Sequence, residues 1–317
     1  MSLFILLAVL LGGVHPASAA APKPVTSVAL PCISKRQMIS PSGDQVAVSC
    51  RDHTLQLIDI PSGKTQRSFA ADEHVSTYNY SRDGRWFAVG LPNGDVEVVP
   101  TSGVGRGKRW KADSRRIDLV EFCPDSSGIV VVAADLPGQV WTLEDAPKRI
   151  AGLHSEFSGP SAVAFSPDGK LLVTADGDTV IRFYDTSNWQ MLREYRKQML
   201  EMFVVAFTPD GKHVLLGGAD DEITVLDATT ADPAQPPAPL GDNIRLIVPF
   251  GDASDAILVL TDVEGKRPRK MVVWNSRSGK STPLMAKDPI TAGGMVRGQL
   301  WLGSANDKTL EIWRYAE

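Results

Sequence analysis

The side chains able to do chemistry are few in this 317-residue sequence, and they are scattered. Its five histidines are His15, His53, His74, His154 and His213, with no HExxH segment and no i, i+4 pair. Zinc and haem sites draw on closely spaced ligands, so neither is expected, and no cofactor is expected. No GxSxG elbow presents a nucleophilic serine. GVGRGK at 103–108 has the glycines of a phosphate loop but not the Lys-Ser/Thr that follows them, and it reads as a surface connection. The acidic turns at Asp176, Asp178, Asp220, Asp221 and Glu222 offer the oxygens a calcium ion wants. Their spacing is not that of an EF-hand loop, and Asp-Gly is common hairpin chemistry, so the turn reading is preferred. Three cysteines, Cys32, Cys50 and Cys123, allow one disulfide and leave one thiol, provided the compartment is oxidising.

That compartment is suggested by residues 1–19. MSLFILLAVLLGGVHPASA has an apolar core from Leu3 to Val14, and Ala17-Ser18-Ala19 fits an A-x-A cleavage site, so a secretory signal is expected there. The apolar run is short for a membrane span, and the rest of the chain has none of spanning length. The expected location is periplasmic or secreted. A composition of 43% hydrophobic and 22% charged residues is ordinary for a soluble chain, and a net charge of −4 gives no reason to expect nucleic acid as a partner.

The elements that must carry these residues repeat. FSPDGKLLVTADGDTVIRFYD and FTPDGKHVLLGGADDEITVLD are near copies, and alignment on the turn yields seven such segments. Asp83, Asp125, Asp168 and Asp210 fall about 42 residues apart, a propeller-blade period. In each copy a β-rich segment enters a turn such as Pro167-Asp168-Gly169, where Pro presets φ, Asp bonds its own backbone and Gly takes positive φ. An apolar run such as LLVTA follows, as a strand covered on both faces requires, then a polar turn and a third strand. A four-stranded unit of this kind leaves both faces apolar and must stack in a ring. An all-β, seven-bladed β-propeller over residues 20–317 is therefore expected. TTADPAQPPAPLG at 229–241 reads as a stiff spacer, and Trp141, Trp274, Trp301 and Trp313 read as packing between blades.

From about Pro24 onward the chain resembles the WD-repeat β-propellers. Ile58-Asp59, Tyr184-Asp185, Leu226-Asp227, Trp274-Asn275 and Trp313-Arg314 stand where that family closes its third strand with Trp-Asp, and GLHSEFSGP around His154 approaches its Gly-His. The resemblance implies that the N-terminal strand, residues 24–30, lies outermost in the blade formed by residues 290–316, which removes an open edge. It also implies that Cys32 and Cys50 both lie at the top of the first blade and pair, while Cys123 lies in a bottom turn as a free thiol. On the same top face it groups Lys35, Arg36 and Arg51 of the first blade with Arg245, Lys266, Arg267, Arg269 and Lys270 of the sixth.

A basic top sector of this kind suits an acidic protein segment or an anionic envelope polymer. The leading expectation is a monomeric, non-catalytic interaction scaffold. The alternative is a propeller lactonase or hydrolase with a metal in the central channel. The inner strands offer that alternative Arg36, Tyr78, Asn79, Asp118 and Glu121, a mixed set for a hard ion. Fold alone does not choose between them.

Overall fold

A computed structural model describes residues 24–69, 75–155, 158–176, 179–196, 202–250, 255–261, 270–283, 290–296, 299–305 and 308–314. Alternation of short apolar strands and tight turns has produced seven four-stranded antiparallel sheets. Blades 1 to 6 each use four consecutive strands, beginning with the inner strands Ser34–Ile39, Thr77–Tyr80, Ile117–Phe122, Pro160–Phe165, Met202–Phe207 and Asn243–Phe250. Blade 7 has the inner strand Ile290–Val296, then Gln299–Ala305 and Thr309–Arg314, and Pro24–Ala29 supplies its outer strand. The pairing is antiparallel, with Val28 opposite Leu310 and Ala29 opposite Thr309. Leu30 N–H adds a bond to Lys308 O at 2.8 Å. The expected closure of the ring is thus present. The signal-peptide expectation falls on residues outside those described.

The core lies between blades rather than within them. Phe87 of blade 2 meets Ala47 and Leu57 of blade 1, and Val205 and Phe207 of blade 5 meet Ala162 and Phe183 of blade 4. The second strands of blades 1 to 5 are covered on both sides, and all six residues of Gly128–Ala133 are buried. Trp274 is fully buried and Trp313 nearly so, which fits the packing role expected of the tryptophans.

In blades 2, 4 and 5 the inner strand ends in a turn on the bottom face that is locked in the same way. The Ser166 hydroxyl donates to Asp168 Oδ1 at 2.7 Å and accepts from Leu171 N–H at 2.9 Å, while Asp168 accepts from Lys170 N–H at 3.1 Å. Ser81 with Asp83 and Thr208 with Asp210 repeat this pattern. In blade 3 Cys123 stands at the hydroxyl position, and Ser126 takes the positive φ that glycine takes elsewhere. Cys123 is a free and buried thiol. The turns also touch around the ring. A Cβ on Gly43 would meet Val296 Cγ1 of blade 7 at 2.5 Å, and Ser126 Oγ donates to Asp83 of blade 2 at 3.2 Å.

At the top, the inner and second strands slip register by one residue in six blades. The slip falls at Lys35, Asp118, Ser161, Phe203, Arg245 and Thr291. A bulge of this kind re-aims a side chain, and here it sets one extra residue per blade at the rim of the channel. Cys32 and Cys50 are bonded with Cα atoms 5.8 Å apart, and Arg51 N–H donates to Ile33 O beside them at 2.9 Å. The disulfide therefore ties the exit of the closing strand to blade 1.

One expectation is corrected. The Pro-rich stretch is not a free spacer, because Ala238–Pro239 pairs with Glu222 and Ile223 as the outer strand of blade 5, and Pro233 bridges to Leu226. Proline is tolerated there because an edge strand has N–H positions that need no ladder partner.

Three outcomes follow from this construction. Reducing the Cys32–Cys50 bond, which closes a loop of 18 residues, is expected to lower stability by about 3 kcal/mol in chemical denaturation. Gly63→Ala, at φ +66° with open space around it, is expected to cost about 1 kcal/mol. Gly43→Ala carries the same backbone strain plus the Val296 clash and is expected to lower the melting temperature further than Gly63→Ala.

Candidate functional site

Four of the basic residues that sequence reasoning grouped are described at the top of blades 1 and 6. Lys35 and Arg36 lie on the inner strand of blade 1, Arg51 follows its second strand, and Arg245 sits at the bulge of blade 6, all four exposed. Among the described residues none of the four makes an ion pair. Two are instead held against rings: the Arg245 guanidinium lies 3.4 Å from the centre of Phe203, and that of Arg36 lies 5.2 Å from the centre of Tyr78. Stacking of this kind orients the cation and leaves its edge donors available. The Tyr78 hydroxyl also donates to Arg36 O at 3.1 Å, which fixes the strand carrying the charge. Lys266, Arg267 and Arg269 lie outside the described residues. Lys270 opens the third strand of blade 6 opposite Leu260.

The acidic turns of blades 4 and 5 behave differently from a cation site. Asp176 is fully buried, and its carboxylate accepts a hydrogen bond from Arg182 Nη1 on the next strand, itself fully buried. Asp176 therefore points into the blade, where the guanidinium compensates a charge that would otherwise be costly to bury. Tyr184, at the position of the third-strand Trp, donates its hydroxyl to His154 O at 3.0 Å. Burial pushes that phenol up to about 12. Asn243 donates to Asp221 Oδ1 at 3.3 Å and to Ala219 O at 3.2 Å. Among the described residues no three His, Cys, Asp or Glu side chains converge as a metal-binding group.

The opposite, bottom end of the channel holds a feature that sequence reasoning only half named. Of the candidate channel residues, Asn79 and Glu121 come together: Asn79 Nδ2 donates to Glu121 Oε2 at 2.5 Å. Asp118 goes elsewhere, accepting from Arg116 Nε at 2.5 Å on the top rim. Burial raises the Glu121 carboxyl to about 8, against the opposing pull of the Arg82 charge and the Asn79 hydrogen bond. Arg82 was missed in the sequence. It stands in blade 2 where blades 3, 4 and 5 have proline before the turn aspartate, and that break in the repeat was the available signal. Cys123, close by, is pushed up to about 12 by burial and by the carboxylates of Asp125 and Glu121, so it has little thiolate character.

Seven four-stranded sheets, a shared closing blade and the repeated hydroxyl–aspartate turn define a WD-type β-propeller. Residues 150–185, from the outer strand of blade 3 through the third strand of blade 4, match the model of the WD domain, G-beta repeat. The chain is 23% identical over 207 residues to eukaryotic translation initiation factor 3 subunit I of Drosophila mojavensis, covering 62% of each. It is 27% identical over 162 residues to apoptotic protease-activating factor 1 of Danio rerio, covering 46% of this chain and 12% of that one. It thus spans less than two thirds of the length of these curated relatives. Among solved structures, a chain of the crystal structure of the mitotic checkpoint complex superposes with a TM-score of 0.77 at 16% identity, covering 99% of both. The resemblance to WD-repeat propellers read from the sequence is borne out.

The raised Glu121 carboxyl has a signed consequence. Its protonated form is favoured by the fold, so its contribution is complete below the ordinary value of 4.5 and is lost as pH rises through about 8. Glu121→Gln removes that loss. The variant is expected to match wild type in acid and to exceed it in stability above about pH 8, read by urea denaturation across pH. Parallel profiles would show that Glu121 titrates as it does in water.

Proposed function

We propose that this chain is an exported, non-catalytic propeller that works as a protein-interaction scaffold and engages an acidic segment of a partner through its basic top sector. The observation that carries this reading is the set of exposed cations at Lys35, Arg36, Arg51 and Arg245, which have no ion-pair partner among the described residues. Lys266, Arg267 and Arg269, outside the described residues, precede Lys270 in the sequence between the second and third strands of blade 6. Cations set around one mouth of a rigid ring raise the local concentration of an anionic partner and orient it. The matched relatives include a translation initiation factor subunit and a chain of a checkpoint complex, and a role within assemblies accords with both names. The partner here is of a different kind, because the expected signal at residues 1–19 and the Cys32–Cys50 bond together favour a periplasmic or secreted location.

The test is affinity capture from cell-envelope extract with wild type and with the triple variant Lys35→Glu, Arg51→Glu, Arg245→Glu. Proteins retained by wild type are expected to be lost from the variant and to elute from wild type as salt is raised. Retention that is indifferent to charge reversal would overturn the basic-face reading. Export is checked separately by N-terminal sequencing of the protein recovered outside the cytoplasm, with Ala20 expected as the first residue; a chain that keeps Met1 would overturn it.

A further inference from the structure

The bottom mouth of the channel is built differently from the rest of the ring. Among the described side chains, the next-to-last residue of the inner strand in blades 1 to 6 forms one layer around the channel. In blades 1 and 2 this residue is Met38 and Asn79, in blades 4 to 6 it is Ala164, Ala206 and Pro249, and in blade 3 it is Glu121. Blade 3 therefore places the one carboxyl of this layer beside two consecutive alanines. The small side chains leave a cavity of about 300 Å³ that spans blades 2 to 5, with Phe165 and Phe207 among its walls and Glu121 and Arg82 at its polar side. That volume is at the lower end of the roughly 300–1,000 Å³ typical of small-molecule sites.

The polar side is incompletely satisfied. Asn79 occupies Glu121 Oε2, while Glu121 Oε1 makes no hydrogen bond among the described residues. Arg82 is exposed and uses Nη1 to reach Pro167 O of blade 4 at 2.8 Å, which holds its guanidinium across the mouth. Its remaining N–H groups have no protein acceptor among the described residues. Half-buried in a cavity with mostly apolar walls and beside Asn79 and Arg82, the Glu121 carboxyl is raised to about 8, so at neutral pH its acid form predominates and can donate a hydrogen bond. Beside it stands a permanent cation in a geometry suited to two parallel oxygens. An ammonium ligand would have to pass Arg82 and ionise Glu121, so the balance of charge favours an anion.

We propose that this bottom cavity binds a small apolar monocarboxylate, with its head between Glu121 and Arg82 and its aromatic or branched body over Ala164 and Ala206 against Phe165 and Phe207. The site is at the other end of the channel from the basic top sector and does not depend on the scaffold reading. Ligand entry needs no strand to move, because the mouth is open to the bottom face beside the exposed Arg82.

The test is calorimetric titration of the full chain with phenylacetate, with 2-phenylethylamine and acetate as comparison probes. Saturable binding of phenylacetate is expected, with acetate much weaker for want of a body and the amine not bound. Arg82→Gln changes an exposed residue and leaves the fold intact by circular dichroism; it is expected to weaken phenylacetate at least about tenfold, the loss of one charge-assisted contact. Ala206→Leu fills the cavity and is expected to abolish binding; Ala206→Ser, which adds only one oxygen, keeps it if the leucine variant does not fold. Absence of saturable binding up to the solubility of phenylacetate, tighter binding of the amine, or binding unchanged in Arg82→Gln would overturn the proposal.

Discussion

The structure depends on one constraint: each blade is an apolar slab with no stable surface of its own, so it must have a neighbour on both sides. Phe87 is buried only because blade 1 covers it, and Phe183 only because blade 5 does. A row of such slabs would expose one at each end. Pairing Pro24–Ala29 with Thr309–Arg314 removes both ends at once, since the same chain that starts blade 1 completes blade 7. The disulfide lies just beyond this junction, where the chain leaves the closing strand, and holds it to blade 1. Ring closure, core and cross-link are thus parts of one solution to the burial problem.

Within that frame the polar groups divide by depth. Inside blade 4 the buried Asp176 and Arg182 pair with each other, and Glu194 Oε2 stands 3.8 Å from Arg182 Nε, so two carboxylates compensate the buried guanidinium. At the surface the turn aspartates serve the backbone: hydrogen bonds from Ser166 and Lys170 hold the Asp168 carboxyl below its ordinary value. These local bonds do the same job in several blades, which frees the two ends of the channel to vary. The top varies through its bulge residues and the bottom through the layer that contains Glu121.

Much of this was legible because turn chemistry is local. Pro167-Asp168-Gly169 reveals its conformation in three residues, and its recurrence gives the period, the blade number and the direction of the inner strands. The pairing of Cys32 with Cys50 followed once strands were assigned to a top and a bottom. What stayed hidden depends on partners far apart in sequence. Asp176 looked like a solvated turn acid until Arg182 appeared against it in the interior. Pro233 and Pro239 looked like spacer residues because an outer strand is defined by its neighbour, not by its own composition. Glu121 was visible as a channel residue, but the space beside it exists only because Ala164 and Ala206 come next in the ring. Arg82 completes that site from blade 2, across the mouth.

The closing pair also sets an order of events. Pro24–Ala29 and Thr309–Arg314 are the paired described strands farthest apart in sequence, so their pairing carries the largest loop-closure cost in the ring and is expected to form late. Topologies dominated by such contacts fold slowly. Throughout that wait the N-terminal segment is a strand without a sheet, and the third strand of blade 7 is a sheet edge without a cover. Both can be captured by a second nascent copy in the same register, which makes exchange of this strand between molecules the characteristic misassembly of the fold.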